Sequence, residues 1–506
     1  MFLLFFTPTL VALVRALQEP RIVYPSIIEG RSLDDKKIVR IDEHLALHLT
    51  KSSFIADELD VSLIRDGKEV KQTLSGQKIS EWLHVDRERF AALSLEQTDG
   101  FVRMRGLVNA THSIQPLAAM GRSRGGPMPH AVRAVVKAQQ TKPGTRRLSK
   151  DEDDSWFEEL EMTQDSRRRS HNWPKDQWSS VTLKTIVVAE ADLLMKIYQG
   201  PFFDDPITYL ILVMASVGLR LSALEHPGIQ LKLTGVYSAP KKVEDLMRKK
   251  NPEKLPVKRA SRLMSSNMKS GSPHQSSDVV LFLTQFDLSE TKALGYLYTK
   301  ELTGFTSLGS LCSTEKYVFA KDFGKYEGVE SAAVWVSRAL GAEFDGYGKA
   351  ESCPADGGYF MGTGEIKLPY RFSECSQKMI LEAMKKQRKT NPNCLLTSAG
   401  KAIKDEHKEY MGEGMSPTEF CHSQHGMGEH CLIGHDVLPT TCAVACCHLL
   451  DGKPEHLGTH FAPDGMRCNS VFHTYHTQGW CINGYCRIRK MRKKEKRLFK
   501  QAKQSF

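Results

Sequence analysis

The 506-residue sequence predicts an α/β domain on a largely parallel, twisted sheet, with a β-rich domain before it and a small disulfide-rich module after it. Three observations predict this. Within residues 179–396, continuous apolar runs such as 181–189 (VTLKTIVVA) and 278–284 (DVVLFLT) alternate with helical patterns, as in strands buried on both faces and joined by helical crossovers. Upstream, short strand-like runs are separated by polar turns, with no cysteine among them. Downstream, eight of the twelve cysteines crowd between Cys421 and Cys486, a stretch too short to be held by an apolar core alone.

Taken in order, residues 1–16 (MFLLFFTPTLVALVRA) are an apolar run with a small-residue exit at Val14-Arg15-Ala16. This is the pattern of a secretory signal peptide, too short to cross a bilayer, and it predicts export to the extracellular space. The missing positive charge ahead of the run leaves an uncleaved anchor as the alternative. No later stretch approaches the ~20 apolar residues of a membrane helix, so no transmembrane segment is expected.

Residues 17–120 form the β-rich domain, with strands around 37–41 (KIVRI) and 59–64 (LDVSLI) and turns at Asp66-Gly67 and Asp99-Gly100. Asn109-Ala110-Thr111 is a glycosylation sequon. Residues 121–178 turn to Arg, Gly, Pro, Ser and Asp. Arg146-Arg147 and Arg167-Arg168-Arg169 are processing candidates in this linker, the alternative being a solvated connector that nothing cuts.

Within residues 179–396 the strand 181–189 precedes a helical pattern from Ile207 to Ser222. A second strand, 229–236 (IQLKLTGV), leads to a charged helix, a polar loop over 258–277 and the third strand, 278–284. The cysteines number four between Cys312 and Cys394 (Cys312, Cys353, Cys375, Cys394) and eight beyond (Cys421, Cys431, Cys442, Cys446, Cys447, Cys468, Cys481, Cys486). Even sets in an exported chain predict disulfides. Adjacent Cys446 and Cys447 cannot easily pair with each other, so they should tie down two different segments.

Formal net charge is +11, yet residues 487–506 alone hold ten Lys or Arg against Glu495. The body of the chain is close to balanced, which argues against a nucleic-acid partner. The basic tail is either a solvated end or an attractor of anionic polysaccharide or membrane surface.

The order of residues 186–188 (IVV), Gly218-Leu219-Arg220, 229–236, 278–280 (DVV), Gly295-Tyr296-Leu297 and Ser310-Leu311-Cys312 resembles the reprolysin branch of the metzincin metalloproteases, of the tick salivary, ADAM-like type. Val23-Tyr24-Pro25 is similar to that family's propeptide. Residues 356–362 (DGGYFMG) resemble the stretch that carries its Met-turn, here Met361, and 371–376 (RFSECS) the segment after it. The resemblance implies a prodomain at 17–120, a metzincin-like catalytic domain at 179–396 and a zinc cofactor. Residues 397–486 resemble the cysteine-rich module that follows the protease in such proteins, implying an exosite for a partner; Met466 replaces the usual threonine of its Asp-Gly-Thr-x-Cys.

Reprolysins carry H-E-x-x-H-x-x-G-x-x-H followed by Asp-Gly. Two histidines at i and i+4 share one helix face, the glycine turns the chain, the third histidine completes an open zinc site, and the glutamate takes a proton from the zinc-bound water. The matching segment is 334–346 (VWVSRALGAEFDG), framed by Gly341 at the turn and Asp345-Gly346 at the close. The ligand positions therefore hold Val334, Arg338 and Phe344, and the general-base position holds Trp335. Valine and phenylalanine have no lone pair, indole only donates, and arginine stays protonated. A fixed positive charge also repels the ion by several kcal/mol at ~4 Å, even for an effective dielectric near ~20.

Val329, Ala332, Ala333, Val336 and Leu340 keep helical spacing for a core face, and Met361 becomes a core-filling methionine. Ten of the eighteen histidines fall between His407 and His476, including His422, His425, His430 and His435. They follow no zinc spacing, and solvated titrating histidines are the simpler expectation. The sequence thus predicts an exported pseudoprotease that uses no cofactor and binds a host or extracellular-matrix protein without cutting it. Its rivals are an active secreted zinc metalloendopeptidase and an unproductive gene copy.

Overall fold

The computed structural model describes residues 20–28, 37–42, 45–65, 68–87, 89–98, 101–117, 128–135, 180–199, 205–224, 227–250, 254–266, 273–291, 297–362, 370–395, 415–425, 430–432, 443–450, 453–462, 466–470, 477–482 and 485–487. The expected signal peptide, both basic processing clusters and the tail beyond Arg487 lie outside these residues.

A seven-stranded sheet runs in the order Gly304–Phe305, Tyr317–Lys321, Val279–Thr284, Ser180–Ala189, Gly228–Ser238, Ile55–Arg65 and Lys68–Ser75. Its four inner junctions are parallel and its two outer ones antiparallel. A nine-stranded sheet gathers the rest of the N-terminal region. Its order is Arg21–Val23, His130–Ala134, His112–Pro116, Phe101–Leu107, Ala91–Thr98, Leu83–Asp86, Ala46–Lys51, Lys37–Arg40 and Ser26–Ile28, antiparallel at every junction. Strand His130–Ala134, inside the stretch read as linker, is thus an inner strand of this sheet.

The expectation of a largely parallel twisted sheet is overturned. Antiparallel pairing predominates across the chain, because the nine-stranded sheet and both three-stranded sheets of the C-terminal module are antiparallel throughout. The physical reason lies in the connections. Apolar runs reveal strands buried on both faces but not their direction. Short polar turns join antiparallel neighbours, whereas each parallel pair needs a long crossover, and most strands here follow one another through short turns. The run 258–277, read as a polar loop, is also corrected in part: Val257–Ser266 is a helix, with Val257, Ala260 and Met264 buried along one side.

Two apolar layers enclose the central strands. Alternate residues of Val279–Thr284 point to opposite sides, Leu281 and Leu283 into one layer and Val280 and Phe282 into the other. The first layer is closed by helix Pro206–Leu221 and helix Gly328–Ala339, the second by helices Lys241–Lys250 and Val257–Ser266. Asp205 caps the helix that follows it, accepting from Ile207 N at 3.0 Å and Thr208 N at 3.1 Å, with Pro206 at the first position. Buried Asp322 joins the two helices of the first layer. It accepts from Tyr209 Oη at 2.5 Å, Gly324 N at 2.8 Å and Gly328 N at 3.0 Å, the last being the start of the second helix.

Bridges join Cys312 to Cys394, Cys353 to Cys375 and Cys421 to Cys446. Cys447, Cys468 and Cys481 are also disulfide-bonded, so the adjacent pair Cys446 and Cys447 does engage separately. Cys431 and Cys486 sit in strands, and Cys442 lies outside the described residues. The C-terminal module has a small core of Phe420, Val444, Ala462 and Met466 around the sulfurs of Cys421, Cys446, Cys468 and Cys481. Among the described residues no helix is long and apolar enough to cross a membrane.

Glu190 ends the central strand fully buried, with Thr284 Oγ1 and Gln285 N each 2.7 Å from its carboxyl oxygens. Burial pushes its pKa up to about 8 from an ordinary 4.5. The unfolded chain releases this proton near the ordinary value while the folded chain keeps it, so stability falls as pH rises through that window, by up to about 1.4 kcal/mol per unit, and levels off above it. Glu190→Gln, which copies the neutral acid, should show a flatter decline in urea midpoint between pH 5 and 8 than the parent. Parallel profiles would show that Glu190 ionises normally.

Candidate functional site

The helix Gly328–Ala339 carries the segment aligned with the zinc motif. Its inward residues Val329, Ala332, Ala333, Val336 and Ala339 are buried in the first core layer, and Leu340 follows them there. At its end Gly341 adopts φ +113°, and Ala342 N reaches back to Ser337 O at 3.0 Å. A Cβ at Gly341 would lie 2.5 Å from Ala383 Cβ on helix Glu374–Thr390. This glycine is therefore required by both its backbone and its neighbour.

Val334 is 3% exposed and packs in the core; Trp335, Arg338 and Phe344 are half-buried. The structure brings these last three together. The Arg338 guanidinium carbon lies 4.5 Å from the Phe344 ring centroid and 5.5 Å from that of Trp335. The two rings meet edge to face, 6.0 Å apart at 88°. Burial lowers the guanidinium's proton affinity while the charge of Glu343 opposes that shift. Arg338 Nε is buried without a hydrogen-bond partner among the described residues.

The indole of Trp335 lies against the edge strand Gly304–Phe305. A Cβ at Gly304 would come within 2.1 Å of Trp335 Cδ1 and 2.7 Å of the Phe319 carbonyl oxygen. Gly304 was not singled out in the sequence, although a glycine at a strand start is a signal of close approach. The space between helix and edge strand is thus occupied by an aromatic side chain.

Met361 is fully buried, and its carbonyl accepts from Asp345 N at 3.0 Å. Buried Asp345 accepts from Ser373 Oγ at 2.5 Å and from Ser376 Oγ at 3.5 Å, which ties the end of the motif to the start of helix Glu374–Thr390. Burial raises the pKa of this carboxyl, and the serine hydroxyls oppose the rise.

The side chains present at Val334, Trp335, Arg338 and Phe344 do not fit a catalytic zinc. Two offer no donor atom, indole nitrogen carries a hydrogen and no lone pair in the ring plane, and the guanidinium is cationic. Among the described residues, one group of three metal-ligand types converges elsewhere. Asp278, Cys312 and Cys394 bring their ligand atoms within 4.8 Å of one another. The two sulfurs are joined in a disulfide, however, so they are not thiolate ligands. These residues line a cavity of about 420 Å³ together with Lys184, Asn391 and Asn393.

Asn109 stands in the turn between Phe101–Leu107 and His112–Pro116. Its Oδ1 accepts from Thr111 N at 2.9 Å and His112 N at 2.7 Å, so the side chain also holds the turn. Of the histidine cluster, His422 and His425 fall on helix Pro417–His425 and His430 on strand His430–Leu432, while His435 lies outside the described residues.

Gly304→Ala should lower stability by roughly 1–3 kcal/mol through overpacking against the indole. In a double-mutant cycle with Trp335→Ala the two changes should couple by about 1 kcal/mol, because removing the indole relieves its clash with the methyl group while the one with the Phe319 carbonyl remains. Urea denaturation of the four proteins measures this, and strict additivity would contradict the packing described.

No family model matches the chain. It is similar to the venom metalloproteinase BumaMPs1 of Olivierus martensii, 26% identical over 413 residues, covering 78% of this chain and 97% of that protein. It is also similar to the venom metalloproteinase antarease TserMP_A of Tityus serrulatus, 22% identical over 396 residues, covering 73% and 93% respectively. Both relatives support membership of the metalloprotease family; they are venom proteins rather than tick salivary ones. A crystal structure of metalloproteinase-II from Bacteroides fragilis aligns at a TM-score of 0.32 with 11% identity, covering 74% of this chain and 94% of that one, a likeness too loose to carry argument.

Proposed function

We propose that this chain is an exported, reprolysin-type member of the metalloprotease family that has exchanged peptide hydrolysis for binding of a host or extracellular-matrix protein. The observation that carries this reading is the guanidinium of Arg338, 4.5 Å from the Phe344 ring, at two positions where the family's motif holds zinc ligands. A cation held between two aromatic faces is a packing solution, and it leaves no pair of electrons directed at a metal. With Trp335 at the general-base position, neither the Lewis acid nor the base for activating water is supplied there.

Export is supported by the apolar leader, by the disulfides and by the relatives, which are named as venom proteins. The cysteine-rich module is the proposed contact surface for the partner, and the basic tail is proposed to add attraction to anionic polysaccharide. Fold does not fix activity, so the names of the relatives do not outweigh the side chains at these positions.

Metal analysis of the secreted, purified protein, run alongside a casein and gelatin digestion assay, tests the reading. The expected result is zinc well below one ion per chain and no cleavage that a chelator abolishes. Stoichiometric zinc together with chelator-sensitive digestion would establish the active endopeptidase instead. Binding is tested by immobilising the protein and passing plasma and matrix components over it at physiological salt; retention of none would leave the scaffold without the proposed role.

A further inference from the structure

We infer that the N-terminal unit, the described residues between Pro20 and Val135, is a permanent half of the folded protein and stays docked after any cut at the basic clusters that follow it. The processed molecule is then a two-chain particle, whatever the chemistry of its cleft.

The first ground is the backbone. Strand Ile55–Arg65 joins the seven-stranded sheet in parallel beside Gly228–Ser238, with Val236 opposite Val61 and Tyr237 opposite Ser62. Leu233 N donates to Phe54 O at 2.8 Å, and Ile64 N donates to Ser238 Oγ at 2.8 Å. The hairpin partner Lys68–Ser75 then forms the outermost strand of that sheet. Departure of the unit would strip two strands from the sheet and uncover the long inner edge of Gly228–Ser238, a state that folded proteins avoid.

The second ground is the core. Leu59, Val61, Leu83, Phe90 and Leu107 belong to the same continuous apolar cluster as Val187, Leu210 and Met384, and Leu59 and Leu83 are fully buried. A releasable leader would meet its partner across a separable, largely polar surface, whereas here one core spans both halves. The Phe90 ring meets Tyr370 edge to face at 4.8 Å, in the segment that follows the Met-turn.

The third ground is a buried charge. Arg220, on helix Pro206–Leu221, is 1% exposed. Its Nη1 donates to Ser216 O and its Nη2 to Ala110 O of the N-terminal unit, both at 3.0 Å, and its guanidinium carbon lies 5.2 Å from the Tyr370 ring centroid. Removing the unit would take away the Ala110 carbonyl that helps accommodate this cation. Arg146-Arg147 and Arg167-Arg168-Arg169 fall between His130–Ala134 and Ser180–Ala189, so a cut at either cluster breaks none of these contacts.

The test uses the full-length protein with a site for a sequence-specific protease inserted next to Arg167. After cleavage in native buffer, size-exclusion chromatography with light scattering should return one peak containing both fragments at the mass of the uncut protein. A hundredfold dilution should leave that peak unchanged, and only denaturant should part the fragments. Amide hydrogen exchange along Gly228–Ser238 should be equally slow before and after the cut. A separately eluting N-terminal fragment, or a loss of protection on that strand upon cleavage, would overturn the inference.

Discussion

Burial of strand Ser180–Ala189 on both faces is the constraint from which the rest of the structure follows. Val187 enters one apolar layer and Val188 the other, so both sides of the sheet must be covered for the strand to be stable. Each fully buried Val, Leu or Ile is worth roughly 1.5–3 kcal/mol relative to exposure, an upper figure because unfolded chains already bury some surface. Helices Pro206–Leu221 and Gly328–Ala339 cover one side, and Asp322 holds the two together at the start of the second. The motif helix is therefore fixed by residues that have no part in metal chemistry.

On the reading proposed above, this separation would let the scaffold persist while its site changed. Val329, Ala332, Ala333, Val334 and Val336 are buried in the core layer, whereas Trp335 and Arg338 are half-buried at its margin. Trp335, Phe344 and Arg338 pack together through ring contacts and a cation over ring faces.

Legibility in the sequence followed the strength of local pattern. Strands 181–189 and 278–284 were readable from their apolar runs, and 229–236 from its alternation of apolar and polar residues. Helix Pro206–Leu221 was readable, to within a residue at each end, from its long apolar helical pattern over 207–222. Helix Val257–Ser266 was hidden by its polar composition, since only Val257, Ala260 and Met264 mark its buried side. The antiparallel bulk of the fold and the insertion of Ile55–Arg65 beside Gly228–Ser238 were not readable at all. Those strands lie more than a hundred residues apart, and nothing local specifies such a pairing. At the site, the closure of Gly304 over Trp335 was not readable, because it depends on an edge strand from another part of the chain.

The loop after the motif helix is held by contacts that do not depend on a metal. A structural zinc contributes to folding through its bonds, but a catalytic zinc in an open cleft mainly serves chemistry. On the reading proposed above, absence of that ion would cost bonds at the site and leave the core layers beneath in place. Here Asp345 still receives Ser373 and Ser376, and Met361 still receives the Asp345 amide, so the loop after the helix is tied down by hydrogen bonds that need no ion. The Cys353–Cys375 bridge fastens the same loop to helix Glu374–Thr390 from its other end. On the reading proposed above, such ties would let this loop keep its shape whether or not a metal is held beside it.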